Sequence, residues 1–225
     1  MKSKINIYLL TLSVITALFI FLHFSSCTQD DTVLPDTGGT GGNSDTVHLG
    51  FNDGRTTFDK AHSNVNWGTP YLGAVGLLTG RFNTFGFNTF NFYADEPDSI
   101  YFEAYVYLNS VNTGEPGRDG GCLLGTFGTS AGAGYVDSNL AIIKSKQVAF
   151  GTTGSYTVTA DFTFHGVTKE LTATLDYVGK TNTGSADVYG LELSFSILAI
   201  SDFGIQSTSI ADKVDIKCSA NFKRT

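Results

Sequence analysis

Residues 157–177 read TVTADFTFHGVTKELTATLDY, and apolar and polar side chains alternate on both sides of a central His-Gly pair. A period of two is typical of a β-strand with one buried face and one solvated face. The apolar positions are Val158, Ala160, Phe162 and Phe164, then Leu171, Ala173, Leu175 and Tyr177. Because Gly166 can adopt a positive φ, the connection HGVTKE predicts a turn and the whole stretch predicts a β-hairpin.

Similar patterns continue along most of the chain. Alternation recurs at 191–199, 214–222 and 99–111, and further strand candidates lie at 47–52, 63–69, 75–83, 86–93 and 139–150. No helical period of useful length is visible, and glycines disfavour a helix in the region after Arg118. About eight to ten antiparallel strands therefore predict an all-β protein, either a sandwich or a closed barrel. Several strands of ten or more residues suit a tall barrel, whose interior is packed solid or holds one small ligand.

Charge excludes one class of partner. The formal net charge is −7, only 16% of the residues are charged, and no basic stripe is present. The long-range field of such a chain repels nucleic acid, so no nucleic-acid partner is predicted.

The first residues have the pattern of an export signal. Lys2 and Lys4 precede an apolar run over 5–24, and Cys27 follows two serines. This arrangement resembles a lipoprotein signal, which predicts a signal peptide at 1–26 and lipidation of Cys27. Residues 27–46 then predict a flexible Gly/Thr/Asp tether and 47–225 one β-barrel domain. The expected location is the cell envelope, lipid-anchored to the outer membrane on its periplasmic side or at the cell surface. A retained transmembrane anchor and free secretion are the alternatives.

Seven short motifs occur in a fixed order. They are DKAHSNV (59–65), GRFNTF (80–85), SVNTG (110–114), RD (118–119), IKSKQV (143–148), HGVTK (165–169) and SDFGI (201–205). Together they span nearly everything from residue 58 to the end, and the ordered set resembles the YceI-like family.

The resemblance implies an elongated, antiparallel, lipocalin-like β-barrel of about eight strands with an apolar interior. It also implies a tunnel for a long amphiphilic lipid such as a polyisoprenoid. We expect the lipid to lie against inward residues, namely Val65, Trp67, Phe82, Phe102, Val106, Phe162, Phe164, Leu175, Phe195 and Ile197. One segment, GGCLLGTFGTSAGAG at 120–134, departs from the family pattern at the pocket mouth. The resemblance therefore does not define the head group of the ligand.

No catalytic, metal or cofactor site is predicted. His165 lies in the hairpin connection and is interpreted as a turn residue, since no partner for acid–base catalysis or metal binding accompanies it. Glu103 and Asp161 fall on outward faces, and Asp202 is expected to cap a turn or to pair with a cation such as Arg81. Cys122 and Cys218 permit a disulfide in an exported protein, although Cys218 also suits a free core position.

Three functions remain open after these arguments. The first is a carrier whose partners are a long-chain amphiphilic lipid and, through its acyl anchor, the membrane. The second is a structural or interaction lipoprotein with a filled barrel and a partner site on the tyrosine face of residues 101–107. The third is an enzyme acting on an apolar substrate. A homodimer is possible in each case.

Overall fold

The computed structural model describes residues 46–152 and 154–225. The predicted signal peptide, the lipidation site Cys27 and all but the last residue of the predicted tether lie outside the described residues. Among the helices in the described ranges, none combines the length and the apolar character needed to span a bilayer.

The described residues form one antiparallel sheet of twelve strands. These are β1 (His48–Gly50), β2 (Thr56–Phe58), β3 (Asn64–Tyr71), β4 (Gly76–Phe82), β5 (Phe85–Tyr93), β6 (Tyr101–Tyr107), β7 (Val111–Asn112), β8 (Leu140–Phe150), β9 (Ser155–Phe164), β10 (Val167–Asn182), β11 (Asp187–Leu198) and β12 (Lys213–Arg224). Short 3₁₀ turns lie at Phe51–Asp53, Lys60–His62, Pro97–Ser99, Leu108–Ser110 and Asp137–Asn139. Within the described ranges, nine strands have seven or more residues, against the predicted total of about eight.

The sheet is strongly curled. Its strand order is β1-β5-β6-β8-β9-β10-β11-β12-β3-β4-β7, and β2 pairs separately with β12. The segment 48–58 links two distant parts of the sheet, because β1 pairs with β5 and β2 pairs with the end of β12. On the other side, Ser110 connects the 83–84 turn to the end of β6, accepting from the Asn83 backbone N–H at 2.9 Å. The curled antiparallel sheet confirms the predicted all-β, barrel-like fold.

The predicted hairpin is present, but its turn is shorter than expected. Phe164 pairs directly with Val167, so His165 and Gly166 alone form the connection. Their φ angles are 52° and 75°, the left-handed pair that a two-residue hairpin turn requires. The segment 167–170, which the sequence placed in the turn, is the start of β10 because its backbone completes the ladder with β9.

A short helix occupies residues 118–126, where the glycines were expected to prevent one. Its first part, Arg118–Leu123, is a π-helix, and its second part, Leu124–Thr126, is α-helical. We call residues 118–126 the mouth helix. Leu123 and Leu124 are buried in the core, and such tertiary packing outweighs weak local propensity in a short helix.

The first family motif fastens the chain to its last strand. The Asp59 carboxylate is almost fully buried. Its oxygen lies 2.8 Å from the Lys223 ammonium and 2.8 Å from the His62 Nδ1. The Asp59 N–H donates to the Asn221 carbonyl at 2.8 Å, and the Asn221 N–H donates to the Ser63 hydroxyl at 2.9 Å. The hydrogen bond from Lys223 is the main reason that the pKa of Asp59 lies below its ordinary value. The motif therefore has a structural role.

Candidate functional site

The interior of the barrel is divided into a solid half and a hollow half. Around Phe92, which is fully buried, the side chains pack without access to the cavity described below. Tyrosine side chains are part of this packing. The ring of Tyr156 contacts that of Phe92 edge to face, with 5.5 Å between the centroids, and its hydroxyl donates to the Ala94 carbonyl at 2.7 Å. This end of the barrel is closed by its own aromatic side chains.

The other half contains a cavity of about 670 Å³. All nine long strands contribute inward side chains to its wall, as the alternation of their sequences requires. At about 30 Å³ for each group of the size of a water molecule, the volume corresponds to roughly 20 such groups. The space is large enough for a long apolar chain and has the size of known small-molecule sites.

All ten residues predicted to contact a ligand line this cavity. Seven of them are buried, and three are half-buried, namely Val65, Phe82 and Val106. The curled sheet brings them together from six different strands. That they contact a lipid stays a prediction.

Three segments contribute to the mouth of the cavity: the β3–β4 turn with the strand residues beside it, the loop between β11 and β12, and the mouth helix with the residue that follows it. They contribute Tyr71, Leu77, Leu123, Phe127, Ile205 and Ile210. The resemblance had placed residues 120–134 at the pocket mouth, whereas the other two segments were not identified from the sequence. These segments lack a regular period, so strand alternation gave no signal for them. Apart from the resemblance, the only sequence signal for the mouth is the apolar content of YLGAVGL at 71–77.

Aromatic contacts and hydrogen bonds fix the mouth in place. Phe127 lies 6.1 Å from Phe82 and 6.0 Å from Phe164, measured between ring centroids. The Nδ1–H of His165 donates to the Phe203 carbonyl at 3.2 Å, so the predicted turn residue also holds the β11–β12 loop. Asp212 accepts from the N–H of Ile200 at 2.8 Å and from the hydroxyl of Ser201, whose hydrogen bond lowers the Asp212 pKa.

The wall also carries polar side chains, among them Asn64, Thr69, Tyr105, Ser207 and Ser219, and two further hydrogen-bond donors are distinctive. Trp67 is 8% exposed, and its indole Nε1 has no hydrogen-bond partner among the described residues. An unpaired buried donor costs about 1–3 kcal/mol in native stability. Arg118, half-buried on the mouth helix, is the one charged residue among those that line the cavity in the described ranges.

Both described cysteines also line the cavity, and they do not form a disulfide. Cys122 is exposed on the mouth helix, whereas burial raises the pKa of the Cys218 thiol to about 12. At neutral pH Cys218 is therefore a neutral, small, apolar part of the wall.

The acidic residues considered in the sequence lie on the outer surface. Glu103 pairs with Lys144 at 3.4 Å and Asp161 with Lys146 at 3.5 Å. Asp202 pairs with Lys169 at 3.4 Å, not with Arg81, because the hairpin turn brings Lys169 to the β11–β12 loop. In the part of the chain that the structure describes, no group of three His, Cys, Asp or Glu side chains is arranged to hold a metal ion.

Sequence comparison identifies relatives of the whole barrel. The family described as "YceI-like domain" matches residues 57–222. A UPF0312 protein of Vibrio parahaemolyticus is 30% identical over 161 residues, which are 70% of this chain and 79% of that protein. A UPF0312 protein of Vibrio campbellii is also 30% identical over 161 residues.

Solved structures share the fold. BcnA of Burkholderia cenocepacia aligns over 73% of this chain and 99% of its own, with a TM-score of 0.54 and 18% identity. A protein of Saccharophagus degradans, described as a polyisoprenoid binding domain implicated in plant cell wall breakdown, aligns over 76% of this chain and 99% of its own. Its TM-score is 0.52 at 16% identity.

Proposed function

The chain belongs to the YceI-like family, and we propose that it binds one long amphiphilic lipid, such as a polyisoprenoid, inside its barrel. The observation that carries this proposal is the cavity of about 670 Å³, walled by aromatic and aliphatic side chains. The Saccharophagus degradans neighbour is described as a polyisoprenoid binding domain. An apolar ligand also suits the wall, to which all nine long strands contribute.

The size of the cavity sets the expected strength of binding. Burial of a methylene group contributes about 0.8 kcal/mol, so roughly 20 enclosed groups contribute about 16 kcal/mol before any cost. Association and ordering of the chain oppose this gain. Half of that value, about 8 kcal/mol, corresponds to a complex with Kd near 1 μM, and a longer enclosed chain binds more tightly. A bound lipid is therefore expected to co-purify with the protein.

The second part of the proposal concerns location. The basic start, the apolar run and the two serines before Cys27 support an envelope lipoprotein. In this scheme the acyl chains on Cys27 attach the protein to the outer membrane, and the barrel exchanges lipid beside that membrane.

The alternative functions have less support. A filled barrel disagrees with the cavity, although the solid half around Phe92 shows that this chain can pack part of its interior. For an enzyme, the two carboxylates Glu103 and Asp161 would have to face the substrate, but both pair with lysines on the outer surface.

The test is the lipid content of protein purified from its native host. Native mass spectrometry should show a stoichiometric adduct, and organic extraction should release a long isoprenoid or a similar amphiphile. Phe195→Asp and Phe102→Asp should lower the occupancy, because each places a carboxylate in the apolar wall. Leu198→Asp is the matched control, since Leu198 is 44% exposed on the same strand as Phe195 and does not line the cavity.

Occupancy is compared only among variants that keep the circular dichroism of a β-sheet. Protein without stoichiometric lipid, or equal occupancy in Phe195→Asp and Leu198→Asp, would contradict lipid binding in the cavity.

A further inference from the structure

We propose that the β3–β4 turn docks the barrel on a lipid bilayer, into which its exposed apolar side chains insert. We call residues 71–77 (YLGAVGL) the apolar tip. The choice of a bilayer as the partner rests on the proposed lipid binding, because a cavity that takes up a lipid has to face the membrane that supplies it.

The first observation is a cluster of exposed apolar side chains. Of the ten large apolar side chains that are exposed in the described ranges, four belong to the apolar tip. Leu72, Val75 and Leu77 are 53%, 75% and 72% exposed, and they do not belong to the hydrophobic core. Single exposed apolar residues are ordinary, whereas a contiguous group of them marks an interaction site.

The apolar tip is a formed turn that holds these side chains outward. The N–H groups of Ala74 and Val75 donate to the Tyr71 carbonyl at 3.2 Å and 2.9 Å. The Leu72 N–H donates to the Ser209 carbonyl at 3.0 Å. The φ angle of Leu72 is 48°, a conformation that leucine rarely adopts and that glycine or asparagine tolerates better. Neither the turn nor the core explains a leucine at this position, whereas contact with an apolar partner does.

The surroundings of the apolar tip are uncharged. Residues 63–80 contain no Asp, Glu, Lys or Arg, and neither do residues 203–211 of the β11–β12 loop. The two segments lie side by side, since the Ala211 N–H donates to the Pro70 carbonyl at 3.0 Å. Insertion of a charged side chain into a bilayer is costly, so an apolar tip without charged neighbours suits the boundary between headgroups and acyl chains.

The apolar tip is continuous with the cavity. Tyr71 and Leu77 line both the tip and the cavity wall, and Leu78 follows them on β4. A lipid that moves between a bilayer and the cavity would therefore pass along apolar side chains. All seven residues of the tip are exposed, and such a projecting turn enters a fluid bilayer directly, whereas a protein partner would have to supply a matching groove.

The expected contact is weak and reversible. A single myristoyl chain binds membranes with an association constant of only about 10⁴ M⁻¹. The side chains of Leu72, Val75 and Leu77 together contain fewer carbon atoms than that chain. The apolar tip therefore orients the barrel for lipid exchange, but it does not retain the protein in washed membranes.

The test measures partition onto vesicles in the absence of an acyl anchor. The mature chain, residues 27–225 with Cys27→Ser, is mixed with rising concentrations of phosphatidylcholine vesicles, and flotation gives the bound fraction. We expect half-maximal binding at roughly millimolar lipid. Because the chain is acidic, phosphatidylglycerol in the vesicles should not strengthen binding, and high salt should not weaken it. Binding only to vesicles with phosphatidylglycerol would overturn insertion of the apolar tip.

Variants identify the surface that binds. Val75→Asp should lower the partition roughly tenfold, because a carboxylate replaces an inserted apolar side chain. Leu72→Asn should also lower it while thermal stability is kept or raised, since asparagine adopts a positive φ more readily. Val178→Asp is the matched control and should not change the partition. Val178 is 65% exposed, does not line the cavity, and follows Tyr177, whose ring stacks on Phe92 in the solid half.

Native mass spectrometry of the same variants separates this inference from the proposed function. Val75→Asp should keep its lipid, because Val75 does not line the cavity. No partition of the parent protein, or equal partition of Val75→Asp and Val178→Asp, would overturn docking and leave lipid binding intact. Normal partition of a protein that holds no lipid would support docking and contradict the proposed function. If size-exclusion chromatography shows a dimer that Val75→Asp dissociates, a second copy covers the apolar tip and the assignment to a bilayer is wrong.

Discussion

Gly80 leaves the space in which Trp67 lies against the wall of the cavity. The two residues are direct partners across β3 and β4, and a Cβ on Gly80 would come within 2.6 Å of the indole ring. A tryptophan ring in a packed wall cannot move aside without displacing its neighbours. Absence of a side chain at residue 80 is therefore a steric requirement of the site.

Gly80→Ala should lower the free energy of unfolding by about 1–3 kcal/mol, the usual cost of overpacking. Gly76→Ala on the same strand is the control, since nothing lies within 4 Å of its Cβ position, and it should change stability little. Chemical denaturation of both variants measures the difference. Equal stability of the two would show that the Trp67 ring is not fixed where the structure places it.

Asp59 gives the barrel a pH-dependent contribution to stability. Its pKa lies below the ordinary value of 3.8, chiefly because Lys223 donates a hydrogen bond to the carboxylate. Since the folded-state pKa is the lower one, the stabilisation is fully present above about pH 4 and disappears as the pH falls through the folded value.

Asp59→Asn should therefore destabilise the protein by about 1–3 kcal/mol at pH 7, and wild type and variant should converge in acid. Thermal unfolding between pH 7 and pH 3 measures both effects. Glu170→Gln is the control, because its ion pair with Lys146 is exposed and should contribute less than about 1 kcal/mol. A gap between wild type and Asp59→Asn that stays constant down to pH 3 would contradict the assigned role of the carboxylate.

The β9–β10 hairpin shows how an element is defined by its two turn residues. Both have positive φ, but His165 also binds the β11–β12 loop through its ring. A β-branched residue at Gly166 would be strained. Gly166→Val should destabilise the protein more than His165→Ala, by about 1–3 kcal/mol against about 0.5–1.5 kcal/mol.

Thermal shifts of the two variants provide the measurement. His165→Gly serves as the control, because it keeps the positive φ accessible and removes the same ring contact as His165→Ala. Equal shifts for Gly166→Val and His165→Ala would mean that the backbone conformation of the turn contributes nothing measurable.

Strands were predictable from the sequence, whereas the segments between them were not. Alternation identified the inward side chains, including all ten of the expected site, because one face of every long strand must be buried. The mouth helix and the Asp202–Lys169 pair depend on contacts between distant parts of the chain, and the length of the hairpin turn depends on the register between β9 and β10. For the same reason, the unpaired Trp67 N–H and the cavity-facing Arg118 could not be inferred from a period.

At the scale of the whole molecule, the barrel has one closed end and one open end. The closed end is filled by Phe92, Tyr156 and their neighbours, and the mouth lies where the mouth helix, the β3–β4 turn and the β11–β12 loop meet. Under the proposed function, a long lipid would enter from the mouth with its chain towards the closed end.

Membrane attachment and lipid binding should be separable properties of the chain. The cavity is lined by residues between Phe58 and Phe222, so it does not depend on Cys27. Cys27→Ser should release the mature protein from membranes, because the predicted acyl chains are its only stable attachment in this scheme, while the lipid in the cavity is retained. Membrane fractionation and native mass spectrometry of the same preparation measure the two properties.

Since the substitution can also block removal of a lipoprotein signal, the matched control carries Ser at residue 27 behind a standard cleavable secretory signal in place of residues 1–26. If that processed protein still sediments with membranes, the attachment lies in the barrel and the lipoprotein prediction is wrong; if it is released but has lost its lipid, the cavity is not an independent binding site.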